Sequence, residues 1–108
     1  MASGTELFEA WKEGFANKDS SKLAELLTDD FQFISPRRPM NKQETLDWTA
    51  GGGNPTAIDN LEVLYENDEV AAVLQDADSG KLGKGKVMAV YTKKDGKFSQ
   101  ARVIRAAL

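Results

Sequence analysis

The 108-residue chain contains no cysteine and no histidine. The first absence excludes disulfides, thiol nucleophiles and cysteine-ligated zinc. The second excludes every histidine-based triad and histidine ligation of haem. Long apolar runs are missing as well, so nothing in the chain is expected to span a membrane. Met1-Ala2-Ser3-Gly4-Thr5-Glu6 has neither the basic start nor the continuous apolar stretch of a secretory signal. A cytoplasmic location follows as the default. No cofactor or metal motif is complete. Gly51-Gly52-Gly53-Asn54 lacks a following Lys-Ser/Thr and precedes a strand, so it is no phosphate loop. Asp76-Ala77-Asp78-Ser79-Gly80 opens like a calcium loop, but Lys81 stands where its glycine belongs and Val87 where its last glutamate belongs.

The net charge is −3. Arg37-Arg38, between prolines, is the one dense basic spot before the lysine-rich hairpins. Two adjacent arginines on an acidic domain make too few phosphate contacts for nucleic-acid binding. Lys81, Lys84, Lys86, Lys93, Lys94 and Lys97 read as solvated charges around hairpin tips and edges. What remains is enough apolar sequence for one core and one domain, residues 1–108.

Ser3 with Glu6 forms the pattern of a capping box. Leu7, Phe8, Trp11 and Phe15 then make an apolar helical stripe, and Asn17-Lys18-Asp19 ends it. Ser20 or Ser21 is placed to cap a short second helix carrying Leu23, Ala24, Leu26 and Leu27. Phe31 to Ser35 reads as a strand stopped by Pro36. Asn41 with Glu44 opens a third helix through Leu46 and Trp48, ended by the glycine run. Four strands follow: Ala57–Glu66, Glu69–Ala77, Lys86–Lys93 and Phe98–Ala107. Asn67-Asp68 is a tight turn, Asp78 to Gly85 a long mobile connection, and Asp95-Gly96 the strongest hairpin signal. The order α-α-β-α-β-β-β-β with sequential hairpins is an α+β domain. Helices on the concave side of a curled sheet leave space for a ligand.

The stretch Trp11-(x)3-Phe15-Ala16-Asn17-Lys18-Asp19, then Leu23-(x)2-Leu26-Leu27-Thr28-Asp29-Asp30-Phe31-(x)3-Ser35-Pro36, resembles the nuclear transport factor 2-like superfamily, in its SnoaL-like and ketosteroid isomerase-like branch. Lys94-Asp95-Gly96-Lys97-Phe98 entering the last strand is similar too. The resemblance covers the whole chain and implies a cystatin-like cone, a curved mixed or antiparallel sheet around the N-terminal helices. One such fold hosts many activities. In the isomerases the resemblance matches the pocket tyrosine to Trp11, the general base to Ser35, and the hydrogen-bond-donating acid to a position near Met88. None of these three can do that chemistry. An indole donates one hydrogen bond and is no phenol, serine needs a partner base, and methionine donates nothing. The isomerase proton shuttle is therefore expected to be absent.

The candidate pocket wall is Trp11, Phe33, Ser35, Trp48, Met88 and Arg105. Each has a plainer reading. The aromatics also suit core packing, and Trp48 a staple near the glycine run. Ser35 also suits a bond to its own loop. Arg105, if it shares an inward face with Ala101 and Val103, suits a ligand carboxylate, but equally an ion pair or a side chain reaching out at the sheet end.

Apolar residues occupy both parities of the last strands. Packing one face on helices leaves an apolar strip on the other, for which a sheet-to-sheet homodimer is the expected cover. Three functions stay open: a binder of a small apolar or mildly polar molecule without the isomerase set; an isomerase-, cyclase- or hydrolase-type enzyme using a pocket carboxylate or phenol among Asp30, Asp47, Asp76, Tyr65 and Tyr91; or a homodimerisation module whose cavity is filled.

Overall fold

The computed structural model describes residues 3–36, 39–53, 56–80 and 83–107. Helix α1 (Gly4–Asn17) starts at a capping box in which the Ser3 hydroxyl accepts from Glu6 N–H and the Glu6 carboxylate accepts from Ser3 N–H. It ends with Lys18 in the left-handed conformation. Its buried stripe includes Leu7, Phe8, Trp11 and Phe15. Helix α2 (Ser21–Leu26) receives no side-chain cap from Ser20; the Asp19 carboxylate accepts from both the Ser21 N–H and its hydroxyl instead. Leu27 belongs not to α2 but to β1 (Leu27–Ile34), because its backbone pairs with Phe98.

A two-residue strand β2 (Met40–Asn41) precedes α3 (Lys42–Ala50). This strand had no sequence signal. Asn41 and Glu44 form a complete capping box for α3. Strands β3 (Thr56–Glu66), β4 (Val70–Ser79), β5 (Gly83–Lys94) and β6 (Lys97–Ala107) complete a sheet ordered β2-β1-β6-β5-β4-β3. The last four form the expected antiparallel meander, and β1 joins it parallel to β6. The sheet is therefore mixed, and the α+β class holds.

Asn67 Oδ1 accepts from the N–H groups of Glu69 and Val70 in the first hairpin turn. Asp95 and Gly96 both have positive φ, as a tight hairpin turn demands. The expected mobile connection from Asp78 to Gly85 is largely strand: pairing continues from Val70 with Thr92 out to Ser79 with Gly83. Arg37-Arg38, Asn54 and Lys81 lie outside the described residues. Strand β3 departs from strict alternation. Its register shifts between Asp59 and Glu62 and again between Val63 and Tyr65, and Asn60 takes φ of 54°. These bulges break the alternation of β3, and Val63, Leu64 and Tyr65 are all exposed.

Helices α1 and α3 cover the concave face. On β4, Ala71, Val73, Gln75, Ala77 and Ser79 point inward; on β5 the inward set includes Val87, Ala89 and Tyr91. The core gathers at one end, where Leu7, Leu23, Leu27, Phe31 and Phe98 are almost completely buried. Among the described residues no helix is long and apolar enough to cross a membrane.

Candidate functional site

At the other end of the concave face the helices do not fill the space. A cavity of about 770 Å³ remains between α1, α3 and the inner sheet. Its size suits a small organic molecule. Trp11, Phe33, Ser35, Trp48 and Arg105 all line it, together with Phe15, Met40, Ile58, Val87 and Val103. Trp11 and Trp48 do not plug it.

Met88 is a correction. It lies on the convex face, 49% exposed, because β5 alternates and its neighbours Val87 and Ala89 take the inward positions. The alignment with the isomerase acid thus ends one residue off the concave side. Inside the cavity, that stretch of β5 presents Val87.

The aromatic wall is a connected chain. Phe15 meets Trp48 edge to face with ring centroids 5.0 Å apart, Trp48 lies 5.8 Å from Phe33, and Phe33 meets Trp11 edge to face at 5.8 Å. Trp11 continues to Tyr91 at 6.3 Å, and Tyr91 to Phe98 at 5.7 Å. Such offset and edge contacts suit the ring quadrupoles and fix the wall in one arrangement. The Trp11 indole N–H is already engaged, donating to Thr49 Oγ1 at 3.0 Å. The Thr49 hydroxyl in turn donates to the Thr45 carbonyl at 2.9 Å. Trp11 therefore offers a ligand a flat apolar face and not a donor.

The acid–base candidates are scattered by the fold. Asp76 sits between the inward Gln75 and Ala77 and points the other way, receiving hydrogen bonds from Lys86 (2.6 Å) and Asn60 (2.7 Å). Those bonds hold its carboxyl below the ordinary range. Asp30 is exposed and accepts from Thr28, with Lys94 beside it; both lower its pKa. Asp47 is exposed on α3 and accepts from Gln43. Tyr65 is 59% exposed on the convex face. Of the five, Tyr91 alone faces the cavity, and burial pushes its phenol up, so it stays protonated. Among the described residues no aspartate or glutamate lines the cavity. None of the described His, Cys, Asp and Glu residues gather in groups that could hold a metal ion.

Two polar side chains, on β4 and β6, line the cavity from the sheet side. Gln75 is only 7% exposed, and its Oε1 is buried without a hydrogen-bond partner. Sequence reading missed it. Its one signal is a polar residue at the parity of Val73 and Ala77, obscured because β4 is apolar on both faces. Arg105 lies across Val87 from Gln75: Val87 pairs with Gln75 on one side and with Arg105 on the other. The guanidinium donates to the Gly83 carbonyl. It makes no ion pair with any described carboxylate. Arg102, one residue earlier, is exposed and bonds Gln100.

No protein-family model matches the chain, and no curated protein sequence is significantly similar to it. Solved structures do match. An NTF2-like protein of unknown function from Cytophaga hutchinsonii superposes with a TM-score of 0.78 at 9% identity, covering 98% of this chain and 92% of that one. A candidate ketosteroid isomerase from Kribbella flavida gives 0.75 at 14% identity, covering 94% and 76%. A candidate polyketide cyclase from Sinorhizobium meliloti gives 0.73 at 16% identity, covering 90% and 92%. At such identities the likeness speaks for architecture and leaves chemistry open. The helices, the order of the strands and the cone that they enclose are those of the NTF2-like fold.

Proposed function

We propose that this protein binds a small, largely apolar molecule in the cavity and does not carry out proton transfer of the isomerase kind. One observation carries this reading: an open, aromatic-walled cavity of about 770 Å³ whose described lining contains no carboxylate. With no histidine in the chain, Tyr91 and Arg105 are the only titratable side chains among that lining. A phenol held protonated and a guanidinium can orient and hold a ligand, but neither is a base at neutral pH. The open cavity speaks against a purely structural module with a filled interior.

Two tryptophans on the wall provide the readout. Titration with the neutral fluorophore N-phenyl-1-naphthylamine is expected to quench tryptophan emission saturably, with one site per chain. Val103→Trp, which fills the cavity from the sheet side, is expected to abolish the signal while the protein stays folded. Linear, unsaturable quenching in the wild type would sink the reading.

We propose further that the convex face of the sheet pairs with a second copy of the chain. Its support is the exposed apolar set Leu64, Tyr65, Met88, Val90 and Ile104, from 40% to 66% exposed.

A further inference from the structure

We infer that the cavity's ligand is an organic acid: an apolar body against the aromatic wall, a carboxylate on Arg105, and a hydrogen-bond donor beside the carboxylate on Gln75. This rests on the binding reading above and names its chemistry. Arg105 has five N–H donors in a planar fork, and the Gly83 carbonyl occupies part of that capacity without cancelling the charge. The other described residues leave the cation without a carboxylate, whereas Lys12, Lys22, Lys42, Lys86, Lys93 and Lys94 all stand within ion-pair distance of one. A cation facing a cavity with an acid-free described lining is matched by an anion from outside.

The position is built. A Cβ placed on Gly85 would stand 2.7 Å from Arg105 Cζ and 2.8 Å from one terminal nitrogen. The guanidinium therefore rests on the bare backbone of Gly85, and any side chain there would displace it. Gln75 supplies the second contact. Gln75 is more than nine-tenths buried and lines the same cavity, with Oε1 unpartnered. A buried acceptor in that state is unfavourable until a donor reaches it. Gln75 and Arg105 both register with Val87, so their backbones stand about two strand spacings apart, roughly 10 Å. Both residues line the cavity, Gln75 from β4 and Arg105 with its guanidinium over Gly85, so an acid held on Arg105 and a donor reaching Gln75 belong to one ligand. A 2-hydroxy acid or an acylamino acid has that pattern.

The test compares three probes in low salt: 1-naphthaleneacetamide, 1-naphthaleneacetate and 2-hydroxy-2-(1-naphthyl)acetate. The acetate is expected to bind about tenfold more tightly than the amide, the increment of a charge-assisted hydrogen bond. The hydroxy acid is expected to gain severalfold more. Arg105→Gln should remove the acid preference and Arg105→Lys should keep part of it; Gln75→Leu should remove only the hydroxyl's gain. Equal binding of acid and amide by the wild type, or an acid preference that survives Arg105→Gln, overturns the inference. In that case saturable binding of N-phenyl-1-naphthylamine still upholds the broader reading. If neither that neutral probe nor the acids bind, both fall together.

Discussion

The two ends of the concave face are made by the same strands with the same alternation, yet one is solid and the other hollow. At the narrow end α1 and α2 press Leu7, Leu23 and Leu27 against Phe31 and Phe98, all almost fully buried. At the wide end, seven residues beyond Phe98 on β6 and across its register partners, the inward positions are Gln75, Val87 and Arg105, and they line open space. The difference lies in what the helices deliver. Leu7 of α1 and Leu23 of α2 fill the narrow end, while at the other end Trp11, Phe15 and Trp48 meet the sheet only along one wall and leave the rest of the space open. Stability and function are thereby divided along one surface: the solid end holds the fold, and the hollow end is free to take a ligand.

The strongest way to break this contrast is by truncation at both ends. Phe98→Ala leaves a void among residues with nowhere to collapse, and an unfolding free energy lower by about 4 kcal/mol is expected. Val87→Ala at the hollow end removes atoms that already border space, and a loss below about 1.5 kcal/mol is expected. Urea unfolding of both variants measures the difference. Equal costs would mean that the cavity is closed in solution and the division of labour is wrong.

A second prediction concerns how the solid end is locked. Glu66 accepts from the Gly4 N–H at the start of α1 and from Lys93 Nζ, both at 2.8 Å. The Lys93 ammonium also donates to the Asn67 carbonyl, and its side chain is only 5% exposed. Burial by itself raises the Glu66 carboxyl, but the bonds from Lys93 and Gly4 and the lysine charge outweigh it and hold the pKa below the ordinary value. A carboxyl whose folded pKa is depressed contributes stability above its unfolded value, near 4.3 for glutamate, and loses it as pH falls through the lower folded value. Glu66→Gln strands a buried ammonium, so a loss of about 2 kcal/mol is expected at pH 7. Denaturation of the two proteins from pH 7 downward should show the difference shrinking only below the glutamate range. A pH-independent gap would assign the loss to packing and not to charge.

Much of the solid end is readable from the chain. Both capping boxes, the stripe through Leu7, Trp11 and Phe15, and the Asp95-Gly96 turn are local chemistry, and local chemistry decides them. What fails is decided at a distance. Leu27 has the spacing of a helix residue but the backbone partner of a strand. Asp78 to Gly85 has the composition of a loop, yet cross-strand bonds carry the ladder out to Ser79 and Gly83. The hollow end is harder still. Trp11, Phe33, Ser35, Trp48 and Arg105 come to one wall through the fold that the motifs imply, whereas Met88 was placed by alignment along a strand where one residue's shift reverses the face. Gln75 was hidden for a related reason. With Val70, Ala72 and Leu74 on one parity and Ala71, Val73 and Ala77 on the other, nothing in β4 itself says which side faces the helices.

The smallest effect on the single chain belongs to the opposite side of the same strands, and it extends the comparison from two ends to two faces. The row Leu74, Met88, Ile104 runs across β4, β5 and β6 in register on the convex side. Ile104 is 66% exposed and Met88 49%, so neither contributes much to a lone chain's core. Replacing Ile104 by lysine should change the chain's own stability by no more than about 0.5 kcal/mol, as surface substitutions do. If two copies pair through this face, the same substitution places like charges near a two-fold axis and desolvates them, which is far more costly there than on a free surface. Light scattering at micromolar concentration is then expected to give the mass of two chains for the wild type and of one for Ile104→Lys, with ligand titrations unchanged because the cavity opens on the other face. A wild-type mass of one chain would leave the convex strip uncovered and remove the proposed dimer, while the contrast between the solid and hollow ends would stand, since it depends on no second copy.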